Sequence, residues 1–182
     1  MLTGYTSAAL PRELTAAGPH PSLGDGLALF GQFVGDWTMR VQFFDTDGAT
    51  VYDQPGSWSF GWVLDGRCVQ DVLIYPNSRT GRAEPGRRGI GTSLRHYDPE
   101  SGGWQVVWMG AVTGTLISLT GRAVNDEIIL EGPDVDGSAL RWVFSDVTPT
   151  SFHWRGYISE RPGRWRMEQQ MFGERPHPVA SS

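Results

Sequence analysis

His153, Arg155 and Tyr157 alternate along one short segment, so in an extended strand all three share a face, with Phe152 and Trp154 on the other. An Arg on such a face can hold a carboxylate, and a His with an ordinary pKa of about 6.5 can pass a proton beside it. Asp71, flanked at alternate positions by Val69 and Leu73, and Glu168, between Arg166 and Gln170, are carboxyls set among strand-like neighbours. Burial raises a carboxyl's pKa and makes it a general acid, whereas an Arg partner makes it half of an ion pair. His153, Tyr157, Asp71 and Glu168 are therefore the catalytic candidates if the chain is an enzyme. The ordinary fate of a polar face on an antiparallel sheet is solvent, so the competing reading of His153, Arg155 and Tyr157 is an outer surface.

Aromatic residues offer a second chemistry, the binding of an apolar molecule. The chain has eight tryptophans in 182 residues. Trp58, Phe60 and Trp62 fall on one face of an alternating segment, and Trp104, Val106 and Trp108 on one face of another, with Met109 next in the chain. An aromatic wall with a few polar groups is the usual form of a small-molecule site. Trp58, Phe60, Trp62, Trp108 and Met109 are the candidate lining, with Arg155 as the polar anchor. The same rings can equally fill a core.

Other chemistries lack their residues. Four scattered His and one Cys show no metal-ligand spacing, so no metal is expected. There is no Gly-x-Ser-x-Gly nucleophile elbow. Gly86-Arg87-Arg88-Gly89-Ile90-Gly91 has the glycines of a phosphate loop but opens a strand rather than a helix, so the helix terminus that binds phosphate is missing. With Arg79 and Arg82, its arginines read as a locally positive rim. The net charge of −5 argues against a nucleic-acid partner. Cys68 has no second Cys to pair with, which fits a reducing compartment. No apolar run approaches the roughly 20 residues that span a bilayer, and the N-terminus lacks the charged start and apolar core of a secretory signal. The expected location is the cytoplasm, without a membrane partner. A homodimer stays open.

The elements that must position these residues are strands. Residues 1–26 are rich in Ala, Gly, Pro and Ser and read as a flexible arm or cap, and residues 176–182 as a flexible tail. Between them, one short apolar helical turn around Leu27 to Val34 precedes about ten short segments of alternating pattern, separated by turn clusters such as Asp45-Thr46-Asp47-Gly48, Asp65-Gly66 and Asn125-Asp126. Hairpin-length turns imply an antiparallel meander, which must close on itself to hide its edges. The expected fold is all-β: an antiparallel up-and-down barrel of about 8–10 strands, with a short N-terminal helix or arm and room inside for one small ligand.

Gly35-Asp36-Trp37, the run Trp58 to Arg67, Gln70-Asp71-Val72 and Phe152 to Arg155 resemble the lipocalin-like, or calycin, superfamily, and more closely its bacterial lipocalin-like members. The resemblance covers residues 27–175. It implies that Gly35 and Trp37 are structural, with Trp37 plugging the closed end of the barrel and a late-strand Arg packed across it. Arg155, Arg166 and Arg175 are the candidates for that Arg. Nitrobindins share the barrel and hold haem through a His near the wall. Here His153 or His96 would have to serve, and neither sits in a matching motif, so no cofactor is expected.

Three functions stay open. The first is a binder of a hydrophobic small molecule, with an anionic group held by Arg155. The second is a cofactor-independent cyclase or isomerase that folds a polyketide- or terpenoid-like substrate in the same cavity. The third is a filled barrel with no site.

Overall fold

The computed structural model describes residues 9–76 and 88–176. Gly86, Arg87, the rim residues Arg79 and Arg82, His177 and nearly all of the expected tail lie outside them. Ten strands follow in order: β1 (Gly35–Phe44), β2 (Thr50–Val63), β3 (Cys68–Tyr75), β4 (Gly89–Asp98), β5 (Gly103–Gly110), β6 (Thr115–Val124), β7 (Glu127–Pro133), β8 (Ala139–Ser145), β9 (Ser151–Arg161) and β10 (Arg164–Glu174). Each pairs antiparallel with its sequence neighbours, and β1 closes the ring on β10. This is the up-and-down barrel that the turn spacing implies. Closure leaves no unpaired edge. Among the described residues no helix is long and apolar enough to cross a membrane.

Alternation decides what faces inward. Trp37, Met39 and Val41 of β1, Trp58 and Phe60 of β2, Trp104 and Val106 of β5, Leu140, Trp142 and Phe144 of β8, and Phe152 and Trp154 of β9 converge in one core. Strands alone leave both ends of a barrel open. One end is sealed by a 3-10 turn (Pro21–Leu27) and α2 (Ala28–Gly31). This segment buries Leu27 and Phe30, and Phe33 just after it is buried with them. The Phe33 ring lies 5.6 Å from Phe60, 4.9 Å from Phe144 and 5.2 Å from Phe152. Trp37 Nε1 donates to the Phe33 carbonyl at 2.7 Å, which ties the plug to β1.

Arg175, the residue just after β10, is the Arg that crosses Trp37. Its guanidinium carbon stands 3.9 Å from the indole centroid, and Nη2 donates to the Gln32 carbonyl at 3.2 Å. Gly35 is required beside it: its φ is +118°, and a Cβ there would stand 2.3 Å from Arg175 Nη1. Arg175→Ala is expected to cost about 1 kcal/mol, read as a lower urea midpoint with an unchanged slope. A midpoint equal to that of the wild type would mean the stack is idle.

Residues before the plug lie along the β2–β3 turn. Ala16 N–H donates to the Trp62 carbonyl at 2.9 Å, and His20 N–H to the Gly66 carbonyl at 2.9 Å. α1 (Ala9–Leu14) lies just upstream, on the surface.

Candidate ligand cavity

The end of the barrel opposite the plug is open. A cavity of about 500 Å³ lies there, walled by side chains from eight strands. That volume suits one small organic molecule. Phe43, Tyr52 and Tyr75 form a cluster on one side, with ring centroids 5.4 to 5.9 Å apart. Trp108 and Trp142 meet edge to face at 6.1 Å on the other. The glycine spacing that looks like a phosphate loop has its cause here. A Cβ at Gly89 would stand 2.1 Å from Tyr75 Cζ, and one at Gly91 would stand 2.1 Å from Trp108 Cη2. Both glycines face inward and leave room for the rings.

A smaller chamber of about 50 Å³ lies deeper, and Tyr75, Trp108, Trp142 and Gln169 line both spaces. Its charged residue is Arg95 of β4, with a side chain 2% exposed. Arg95 Nη1 donates to Asp71 Oδ2, Nη2 donates to Ser93 Oγ at 3.4 Å, and the guanidinium carbon lies 5.0 Å from the Phe30 ring and 5.3 Å from Phe60. Asp71 Oδ1 accepts the Ser93 N–H at 2.9 Å. The ion pair thus stands between plug and chamber.

Four buried side-chain N–H groups among the described residues have no hydrogen-bond partner. Three of them, Trp58 Nε1, Trp142 Nε1 and Arg95 Nε, belong to residues that line the inner chamber. Buried donors are normally satisfied, so three on one small space set it apart from the rest of the core.

The candidate residues divide sharply between inside and outside. Trp58 and Trp108 line the cavity. Phe60 packs under the plug against Phe33, and Trp62 lies against the plug residue Gly31, so both serve the sealed end. Met109 is 51% exposed: it follows Trp108, so alternation puts it on the outer wall. Arg155 is also outside, where Nη2 donates to Glu127 Oε1 at 2.6 Å, and it anchors nothing in the cavity. His153 and Tyr157 share that outer face, because Phe152 and Trp154 take the inner positions of β9. His153 stacks on Phe172 at 4.4 Å and meets Gln170 Oε1 at 3.1 Å, and burial holds its imidazole below the ordinary pKa. Asp71 is inside, yet both its oxygens are engaged, so it is an ion-pair partner rather than an available acid. Burial pushes the Cys68 thiol up, which disfavours the reactive thiolate.

Glu168 does line the mouth cavity, and burial holds its carboxyl above the ordinary range. Gln169 Nε2 donates to it at 3.2 Å. Burial also pushes the Tyr75 phenol up to about 12, so it stays a neutral donor. The Glu168 shift has a testable sign. The folded chain holds this proton more tightly than the unfolded chain, whose value is about 4.3. Stability is therefore lost as pH rises from there through the higher native value. Glu168→Gln is expected to match the wild type in acid and to exceed it at neutral pH, measured by urea midpoints. Equal midpoints at both would show that Glu168 is not desolvated.

Sequence reading missed Arg95, Trp142, Trp154, Tyr75 and Gln169. Trp142 alternates with Leu140 and Phe144, which was signal enough to place it inside.

The sequence matches no protein-family model and no curated protein. Among solved structures, the chain is similar to Rv2717c from M. tuberculosis, at 12% identity over 84% of this chain and 98% of that one, with a TM-score of 0.60. It is also similar to a redesigned β-barrel, at 13% identity over 80% and 93%, with a TM-score of 0.41. The first likeness is one of fold alone.

Proposed function

We propose that the chain is a lipocalin-like barrel that binds one hydrophobic small molecule through its open mouth, in the reducing cytoplasm. The observation that carries this reading is a cavity of about 500 Å³ with aromatic walls at one end of a barrel whose other end is sealed. A barrel with a purely structural role has no need of such a space, since filling it with side chains would add stability. Burial of apolar ligand surface would contribute about 25 cal/mol per Å², less the cost of association. An anionic ligand has less support than a neutral one. Arg155 is outside, and Arg88 at the rim shares it with Asp134 and Glu168. A small molecule is the partner, not a nucleic acid.

The test is a titration with N-phenyl-1-naphthylamine, a neutral apolar dye, joined to native mass spectrometry of the protein purified from its own host. One-to-one enhancement of dye emission, weakened by Trp108→Ala, is the expected result. No dye response and a clean unliganded mass would leave the filled barrel as the function.

A catalytic reading rests on Glu168, the one of the four acid–base candidates that lines the mouth cavity, where burial shifts its carboxyl upward. A cyclase or isomerase would need that carboxyl as its general acid. If a substrate is found, Glu168→Gln should abolish turnover while leaving substrate binding in place.

A further inference from the structure

We infer that the inner chamber recognises a neutral hydrogen-bond-accepting oxygen, a ketone, ester or amide carbonyl, at the leading end of the ligand; the inference rests on the binding function proposed above. The chamber offers donors. Trp58 Nε1, Trp142 Nε1 and Arg95 Nε are all buried and all without a partner, on side chains that line the same space. A buried donor left unmet is costly, and three such donors fall here on side chains that share one space.

The chemistry of the acceptor follows from what surrounds it. An indole N–H can only donate, so the group that meets Trp58 and Trp142 must bring lone pairs. A carbonyl oxygen has two acceptor sites and no proton of its own to place. Charge is the second constraint. Arg95 is already matched by Asp71 in direct contact, so the pair is neutral as a unit. A carboxylate would bring a second buried anion with no free cation among the chamber's lining to meet it, which a dry site penalises heavily. Size is the third. About 50 Å³ admits a carbonyl or one water, whose share of liquid volume is about 30 Å³, but no ring. The ligand's apolar body therefore stays in the mouth cavity between Trp108 and the Tyr75 cluster while its oxygen reaches the indoles. Trp154 holds both of them in place, with its ring 5.6 Å from Trp142 and 6.4 Å from Trp58.

The experiment uses three probes on one frame: 6-propionyl-2-dimethylaminonaphthalene, its hydrocarbon counterpart 6-propyl-2-dimethylaminonaphthalene, and 6-dimethylamino-2-naphthoate. Each is titrated against the full chain and against Trp58→Phe and Trp142→Phe. The ketone should bind at least tenfold tighter than the hydrocarbon, with its emission shifted as for a hydrogen-bonded carbonyl. Either Phe variant should shrink that ratio, while the hydrocarbon's affinity changes little or improves. Reading the ratio between two probes on the same variant separates loss of the N–H from any change in packing. Equal binding of ketone and hydrocarbon would overturn the inference, since the chamber then holds only solvent water, and would leave the binding function standing. Tightest binding by the naphthoate would also overturn it, in favour of an anionic head. Binding of none of the three would remove the binding function and the inference with it.

Discussion

Asp71→Ala is expected to lower the free energy of unfolding by about 3–5 kcal/mol, enough to remove much of a domain's margin of about 5–15 kcal/mol. The carboxylate and the Arg95 guanidinium are both sealed from water, at 0% and 2% side-chain exposure. Removing the acid leaves a cation inside the barrel with Ser93 Oγ as a weak partner and two Phe rings nearby. It also strands the Ser93 N–H, which loses its acceptor on β3. The size of this effect is not a measure of what the pair adds. Bringing two charges out of water costs several kcal/mol per ion, and their mutual attraction returns most of it. The double variant Asp71→Leu with Arg95→Met is therefore expected to recover most of the stability that Asp71→Ala loses. Urea unfolding of the single and double variants decides the matter. A single variant within about 1 kcal/mol of the wild type would mean that water reaches Arg95. Recovery of stability in the double variant, joined to loss of the ketone preference, would show that the pair is kept for the ligand rather than for the fold.

The fold was legible because its turns are written in local chemistry. Asp-Thr-Asp-Gly after β1, Asp-Gly after β2 and Asn-Asp after β6 each interrupt an alternating run, and ten runs of that kind leave little choice but a closed meander. Strand limits were less clear. β2 begins at Thr50, because Thr50 to Gln54 gain partners on β1 that no local pattern announces.

The site was legible only in part, for two physical reasons. First, hydropathy misleads where a strand carries a buried charge. In Ser93-Leu94-Arg95-His96-Tyr97 the leucine argues for one face and the structure buries the other, since Asp71 on the neighbouring strand meets Arg95. That meeting depends on β3–β4 register, which only the folded barrel sets. Arg155 shows the reverse case: an Arg next to Trp154 that points outward to Glu127. Second, position along a strand matters as much as face. Trp58, Phe60 and Trp62 share the inner side of β2, but four residues span about 13 Å of strand. Trp58 reaches the chamber, whereas Trp62 ends against the plug. Where the plug stops and the cavity starts depends on how far Phe30 and Phe33 enter, and no periodicity within β2 carries that distance.

Phe33→Ala gives the second large effect, and it separates the sealed end from the open one. Phe33 has 0% exposure and touches the rings of Phe30, Trp37, Phe60, Phe144 and Phe152, drawn from the plug and four strands. Truncation loses the transfer energy of the ring and leaves a hole that these rigid neighbours cannot fill, so the cost is about 3–5 kcal/mol. For a domain of this size that lowers Tm by roughly 10–15 °C. The hole should not communicate with the ligand. It opens beneath Phe60, while the chamber lies beyond the Arg95 guanidinium that covers that ring. Phe33→Ala is therefore expected to keep near wild-type affinity for an apolar dye well below its lowered melting temperature. Thermal unfolding followed by near-ultraviolet dichroism, with dye titration on the same sample, checks both halves. If affinity falls in step with stability, the plug shapes the cavity and the two ends act as one. If stability falls by only about 1 kcal/mol, the plug is a loose stopper rather than part of the cooperative core.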